Sequence, residues 1–172
     1  MTSGMVLMVK MLALMLIAPP TPETCVTLQA AYDNLLGSSF TVERTMTVNM
    51  NGKLKAREVS RLEYADRQLV TEQIELDLRD KNMVIEPTNS DAALEARLVC
   101  DLVEDLGENR YKVRTKEGEE ELELILDVQR NALIPAAWRS REKARFLWKK
   151  FIIETEVTYG SFAWREQGGG HR

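Results

Sequence analysis

At 172 residues, with 29% charged side chains of both signs and a net charge of −4, the chain fits one mildly acidic globular domain with a sizeable core. The negative balance excludes bulk attraction to nucleic acid, and nothing repeats at a solenoid period.

Residues 1–18 differ in kind from the rest. Lys10 precedes the apolar run Met11-Leu-Ala-Leu-Met-Leu-Ile-Ala18, which Pro19-Pro20 stops. The stretch reads as a secretory signal peptide, with an uncleaved anchor or a buried segment as the alternatives. A membrane-spanning helix needs about twenty apolar residues, and this run is shorter. Export places the protein in the periplasm or outside the cell, where thiols oxidise. Cys25 and Cys100 then either pair or remain two buried free thiols.

Thr21-Pro22-Glu23 predicts a helix start, and Cys25, Leu28, Tyr32 and Leu35 form one apolar stripe that ends at Gly37. Strands follow. Phe40, Val42, Met46, Val48 and Met50 alternate with polar residues as far as Asn51-Gly52, a pair suited to a two-residue hairpin turn. Leu54, Ala56, Leu62 and Tyr64 form the apolar side of the returning strand. Arg44, Glu58 and Ser60 interrupt these apolar faces. They sit near a sheet rim or reach water along their stems, or else they aim polar groups into a concave pocket. After a corner at Asp66-Arg67, Val70, Ile74, Leu76 and Leu78 continue an up-and-down meander, with a further turn at 79–82 and a stop at Pro87.

Between Thr88 and Gly107 helical and extended patterns overlap. A short helix over Ser90–Ala96 followed by a strand to about Glu104 fits best. Tyr111–Thr115 is a strand, and Lys116–Gly118 turns it into another, where Leu122, Leu124 and Leu126 alternate with Glu119, Glu121 and Glu123. Pro135 opens a basic strand that carries Arg139, Arg141, Lys143 and Arg145. Folding the two about Asn131 sets Glu123 against Arg139, Glu121 against Arg141, Glu119 against Lys143 and Leu124 against Trp138. Phe146–Tyr159 is apolar and aromatic, being covered on both sides or bent at Lys149-Lys150. Residues 21–164 thus make one domain, and the glycine-rich tail 165–172 is expected to be disordered. The fold class is α+β: an antiparallel up-and-down meander curled into an unclosed half-barrel, with an N-terminal helix and a mid-chain helix on the concave face.

Leu28, Asp33, Ser39-Phe40, Thr45 and Val48, with the strand–turn–strand layout from Tyr111 to Leu133, resemble the periplasmic lipoprotein-carrier superfamily, the LolA/LolB-like fold. The resemblance covers about two thirds of the chain. It implies an unclosed barrel with helices against its concave side and an apolar cavity for acyl chains. After Tyr64 the chain departs from the carriers proper, lacking their Arg-Pro and aromatic segment.

Chemistry for catalysis is sparse. The one histidine, His171, lies in the tail, so no Ser-His or Cys-His pairing, His-based metal site or cofactor motif is present. The candidate ligand lining is the apolar face: Phe40, Val42, Met46, Val48, Leu62, Tyr64, Leu122, Leu124, Leu126 and Trp138. It lines a cavity or closes as a core beneath the helix. The basic stripe with Lys149, Lys150 and nearby Trp148 suits an anionic membrane surface, or is absorbed by the ladder with Glu119, Glu121 and Glu123. The sequence therefore predicts a monomeric, exported, non-catalytic binder of a lipid, lipoprotein acyl chain or other amphiphile. The alternatives are an envelope module that engages a protein partner and, third, a carboxylate-dependent hydrolase.

Overall fold

A computed structural model describes residues 22–81, 83–85, 89–115 and 119–165. The expected leader, the Thr21 cap, Asn82, the stop at Pro87, the turn at 116–118, and residues 166–172 with His171 lie outside the described residues.

Helix α1 spans Pro22–Leu36 and buries Cys25, Leu28, Tyr32 and Leu35, the stripe that the sequence marks. It ends as Gly37 N–H donates to Asp33 O at 2.9 Å and the Ser38 hydroxyl to Asn34 O at 2.7 Å. The strands are β1 (Phe40–Met50), β2 (Lys53–Ala65), β3 (Gln68–Leu78), β4 (Val103–Gly107), β5 (Arg110–Arg114), β6 (Glu120–Asp127), β7 (Ala132–Phe146) and β8 (Lys149–Trp164). All pair antiparallel in one sheet of order β3-β2-β1-β8-β7-β6-β5-β4. The sheet does not close, and its edges are β3 and β4.

The up-and-down antiparallel sheet is as expected, but it is made of two runs, β1–β3 and β4–β8. The first and last strands pair in the middle, and residues 79–102 must cross from one edge to the other. That crossover holds α2 (Ala92–Glu95) and a single 3-10 turn at Cys100–Leu102. The expected helix is there but shorter, and the strand begins only at Val103, so the alternation of Leu98, Cys100 and Leu102 marks no strand. Cys100 leaves it to meet Cys25 across 5.5 Å between Cα atoms, in a disulfide that joins the crossover to α1.

Register is set by bulges. A two-residue turn at Asn51 (φ 52°) and Gly52 (φ 74°) pairs Met50 with Lys53, which alone would set even residues of β1 against odd residues of β2. A bulge at Val48/Asn49 restores even against even, so the apolar sides coincide. In the β6–β7 hairpin the turn is Val128–Asn131 and a bulge at Ala136 directly follows Pro135, where a strand proline is tolerated. Pro135 therefore lies inside β7 and does not open it. The expected pairing slips: Arg139 faces Glu121, Ala137 faces Glu123, Trp138 faces Leu122 and Pro135 faces Leu124. Leu122, Leu124 and Trp138 nevertheless meet in one cluster beneath α1.

Two further expectations change. Leu147 and Trp148 are the turn between β7 and β8, so the apolar stretch from Phe146 is the two arms and tip of a hairpin. Arg165 is held by its N–H to Ser39 O at 2.9 Å and its guanidinium to Glu63, so it packs with the domain.

The core lies where α1 covers the concave face. Phe40, fully buried, stacks on Tyr64 and Phe162 at 5.1 and 5.0 Å, with Trp164 edge-on at 6.3 Å. Each such side chain contributes about 1.5–3 kcal/mol by leaving water.

Candidate ligand cleft

Residues paired across strands share a face, so the concave side can be followed row by row. Tyr159, Arg44, Ser60 and Gln73 make one row across β8, β1, β2 and β3. The next row away from the α1-covered core runs through Val103, Val113, Leu122, Trp138, Val157, Met46, Glu58 and Leu76, one residue from each strand. A polar belt therefore borders a nearly apolar row.

Arg44, Glu58 and Ser60 are buried inside the molecule, at 6%, 1% and 0% exposure, which excludes the rim reading. The Arg44 guanidinium donates to Ser60 Oγ (3.1 Å), Asp91 Oδ2 (3.2 Å) and Glu58 Oε1 (3.5 Å). Asp91 comes from the crossover. Its Oδ1 caps α2 through Ala93 N–H (3.0 Å) and accepts the Tyr159 hydroxyl (2.7 Å). Tyr32 of α1 donates its hydroxyl to Ala93 O. Burial, reinforced by Asp91, raises the pKa of both phenols, so Tyr32 and Tyr159 stay protonated donors at neutral pH. A buried guanidinium that keeps three partners is the arrangement a low-dielectric site requires. The Gln73 amide nitrogen is buried beside this belt without a partner among the described residues.

These contacts strap the crossover down at two points, Asp91–Ala93 and Cys100. Between the strap and β5–β7 lies a cleft of about 340 Å³, within the roughly 300–1,000 Å³ typical of small-molecule sites. Ala96, Val99 and Leu102 form its strap side, Val113, Leu122 and Trp138 its sheet side, and Arg97, Arg114 and Glu120 contribute charge. A wider concavity of about 580 Å³ near the end of α1 is lined by polar groups including Asp33, Asn34, Ser38, Arg130 and Arg165, which suits an apolar ligand poorly.

The structure divides the ten expected lining residues. Phe40, Val42, Leu62, Tyr64 and Leu124 are sealed in the core with α1, and Leu126 packs against it. Leu122 and Trp138 line the cleft. Met46 and Val48 stay partly exposed on the same face. The strap residues were missed, because nothing in their local pattern shows that they lie over the sheet. Arg44 with Glu58 and Ser60 was the legible signal: an arginine in one apolar stripe and a polar pair in its partner stripe.

On the convex face the ladder is real but shared differently. Glu121 pairs with Lys112 (3.4 Å) and Arg114 (3.2 Å), and Glu123 with Arg110. Arg139 and Arg141 turn to Glu156 (3.0 Å) and Glu154 (3.5 Å), while Lys143 meets Glu119 at 2.5 Å as expected. That hydrogen bond from Lys143 lowers the Glu119 pKa.

No group of acidic, histidine or cysteine side chains able to hold a metal occurs among the described residues. Among them no helix is long and apolar enough to cross a membrane, and the disulfide is compatible with an oxidising compartment. No protein-family model matches the chain, and no curated protein matches it significantly.

Proposed function

We propose that the protein is an exported, non-catalytic binder of a lipid or other amphiphile in the cell envelope, periplasmic or secreted, with its site in the cleft between the strap and β5–β7. The observation that carries this reading is the apolar lining on both walls, Val99 and Leu102 facing Val113, Leu122 and Trp138, with Arg97 and Arg114 also bordering it. An aliphatic chain would lose water between those walls, and a polar head would remain near the charged residues. The unclosed sheet with a helix on its concave side supports the resemblance to LolA/LolB-like carriers. The disulfide supports the export that the leader suggests.

The hydrolase alternative needs carboxylates at an accessible site. Glu95, Glu120 and Glu121 do border the cleft, with Glu121 paired to Lys112 and Arg114, while Glu58 and Asp91 converge on Arg44 and are shut away from solvent.

Native mass spectrometry of gently purified protein and titration with a fluorescent long-chain fatty acid test the reading. Intact protein should carry or take up one amphiphile. Ala96→Phe, which fills the cleft from the strap side, should weaken uptake at least about tenfold with an unchanged circular dichroism spectrum. A protein that stays empty and indifferent to the probe refutes it.

A further inference from the structure

The β7–β8 hairpin outruns its neighbours. On one side β1 ends at Met50, opposite Ile153, and Asn51 makes the last hydrogen bonds, to Ile152. On the other side Glu119 O accepts from Arg141 N–H. Beyond these points Ala144–Phe151, Arg145–Lys150 and Phe146–Lys149 pair only with each other among the described residues. Among the described residues the hairpin thus extends as a two-stranded finger about 10 Å beyond its neighbours at 3.3 Å per residue.

Its tip is the least expected part. Leu147 is 66% exposed and Trp148 77%. Leu147 also adopts φ 55°, a left-handed conformation that is unfavourable for a branched side chain and that glycine or asparagine would adopt more easily. Neither residue is explained by burial or by turn geometry. Arg145, Lys149 and Lys150 surround the tip, all exposed, and none forms an ion pair with a described residue. In this they differ from Arg139, Arg141 and Lys143 lower on the same hairpin, each of which has a carboxylate. Among the described residues, the basic stripe thus divides into a base paired with carboxylates and an end that is not.

An unsupported two-stranded ribbon is marginal in water. Tryptophan and leucine ringed by exposed cations match the layered chemistry of an anionic bilayer, where aromatic rings settle at the interface and lysines meet head groups. We propose that this finger docks the protein on anionic membranes, seating Leu147 and Trp148 in the interfacial layer while Arg145, Lys149 and Lys150 hold lipid head groups. The 10 Å reach matches the roughly 5–10 Å depth of interfacial insertion. The proposal is independent of what the cleft holds.

The test is flotation of the full chain with phosphatidylglycerol-containing and pure phosphatidylcholine vesicles. The apolar N-terminal segment is common to every variant, so only differences are read. Intact protein should prefer the anionic vesicles. Lys149→Glu with Lys150→Glu should reduce that preference roughly tenfold or more. Trp148→Ala should weaken partition about fivefold or more. Leu147→Gly relieves the backbone and should fold at least as well, yet bind less. A second readout is the emission difference between the native chain and Trp148→Phe on vesicles with brominated acyl chains, where Trp148 should be blue-shifted and quenched. Equal binding to both vesicle types, unchanged binding of the charge-reversed variant, or a water-like, unquenched Trp148 overturns the proposal and leaves the finger to a protein groove.

Discussion

The molecule contains two sets of ion pairs made from the same residue types on opposite faces of one sheet. On the convex face Arg139, Arg141 and Lys143 meet Glu156, Glu154 and Glu119 with side chains 38–69% exposed. On the concave face Arg44 meets Glu58 and Asp91 with side chains at most 7% exposed. Distances overlap, but energetics do not. Water screens the first set, so that each pair contributes little and breaking it costs little. The second set has given up its hydration, and removing one member strands the others in a low dielectric.

The sharpest way to break this contrast is Arg44→Met. It should destabilise the fold by about 3–5 kcal/mol in urea denaturation, because Glu58 and Asp91 lose their shared cation. Adding Glu58→Met should recover part of the loss, since an apolar replacement does not need the charge. Next comes the other fastening of the strap. Reducing Cys25–Cys100, which are 75 residues apart, should cost about 4 kcal/mol on loop-entropy grounds, measured by denaturation with and without reductant.

Tyr159→Phe should cost about 1–3 kcal/mol at pH 8, because Asp91 loses a donor inside the protein. The same variant tests linkage. The pKa of Tyr159 is raised in the folded state, so its stabilisation is complete below the ordinary phenol value of about 10 and is lost as pH rises above it, where the unfolded chain ionises first. The native protein should therefore lose stability with alkali more steeply than Tyr159→Phe does, leaving a part of the dependence to Tyr32.

The smallest effects belong to the convex face. Arg139→Ala should change stability by less than about 1 kcal/mol, and less still in high salt. Lys143→Ala should raise the Glu119 pKa back toward the usual carboxylate range, followed by NMR titration, with no measurable change in unfolding. If the convex substitutions proved as costly as Arg44→Met, the contrast between the faces would be lost.

Much of this architecture is legible in single residues. The Cys25-Leu28-Tyr32-Leu35 stripe places α1, and Asn51-Gly52 places the first turn, since asparagine and glycine adopt positive φ more readily than other residues. The acidic and basic alternation of β6 and β7 shows that both are strands with one ionic face. Their pairing was not legible, because a repeat of like charges every second residue is satisfied equally well after a slip of two. The turn at Val128–Asn131 and the bulge at Ala136 make the choice. The candidate site was half legible: Leu122 and Trp138 from alternation, the strap not at all.

Alternation, caps and turn residues determine by themselves that the chain folds into strands with an oily and an ionic side behind one amphipathic helix, because those signals act between residues close in sequence. Which edges stay open, that β1 meets β8, that the crossover lies over the concave face, and that Arg44 finds Asp91 are decisions of the tertiary structure. They depend on contacts 47 to 124 residues apart, such as Arg44–Asp91 and Phe40–Trp164, whose closure no local pattern encodes.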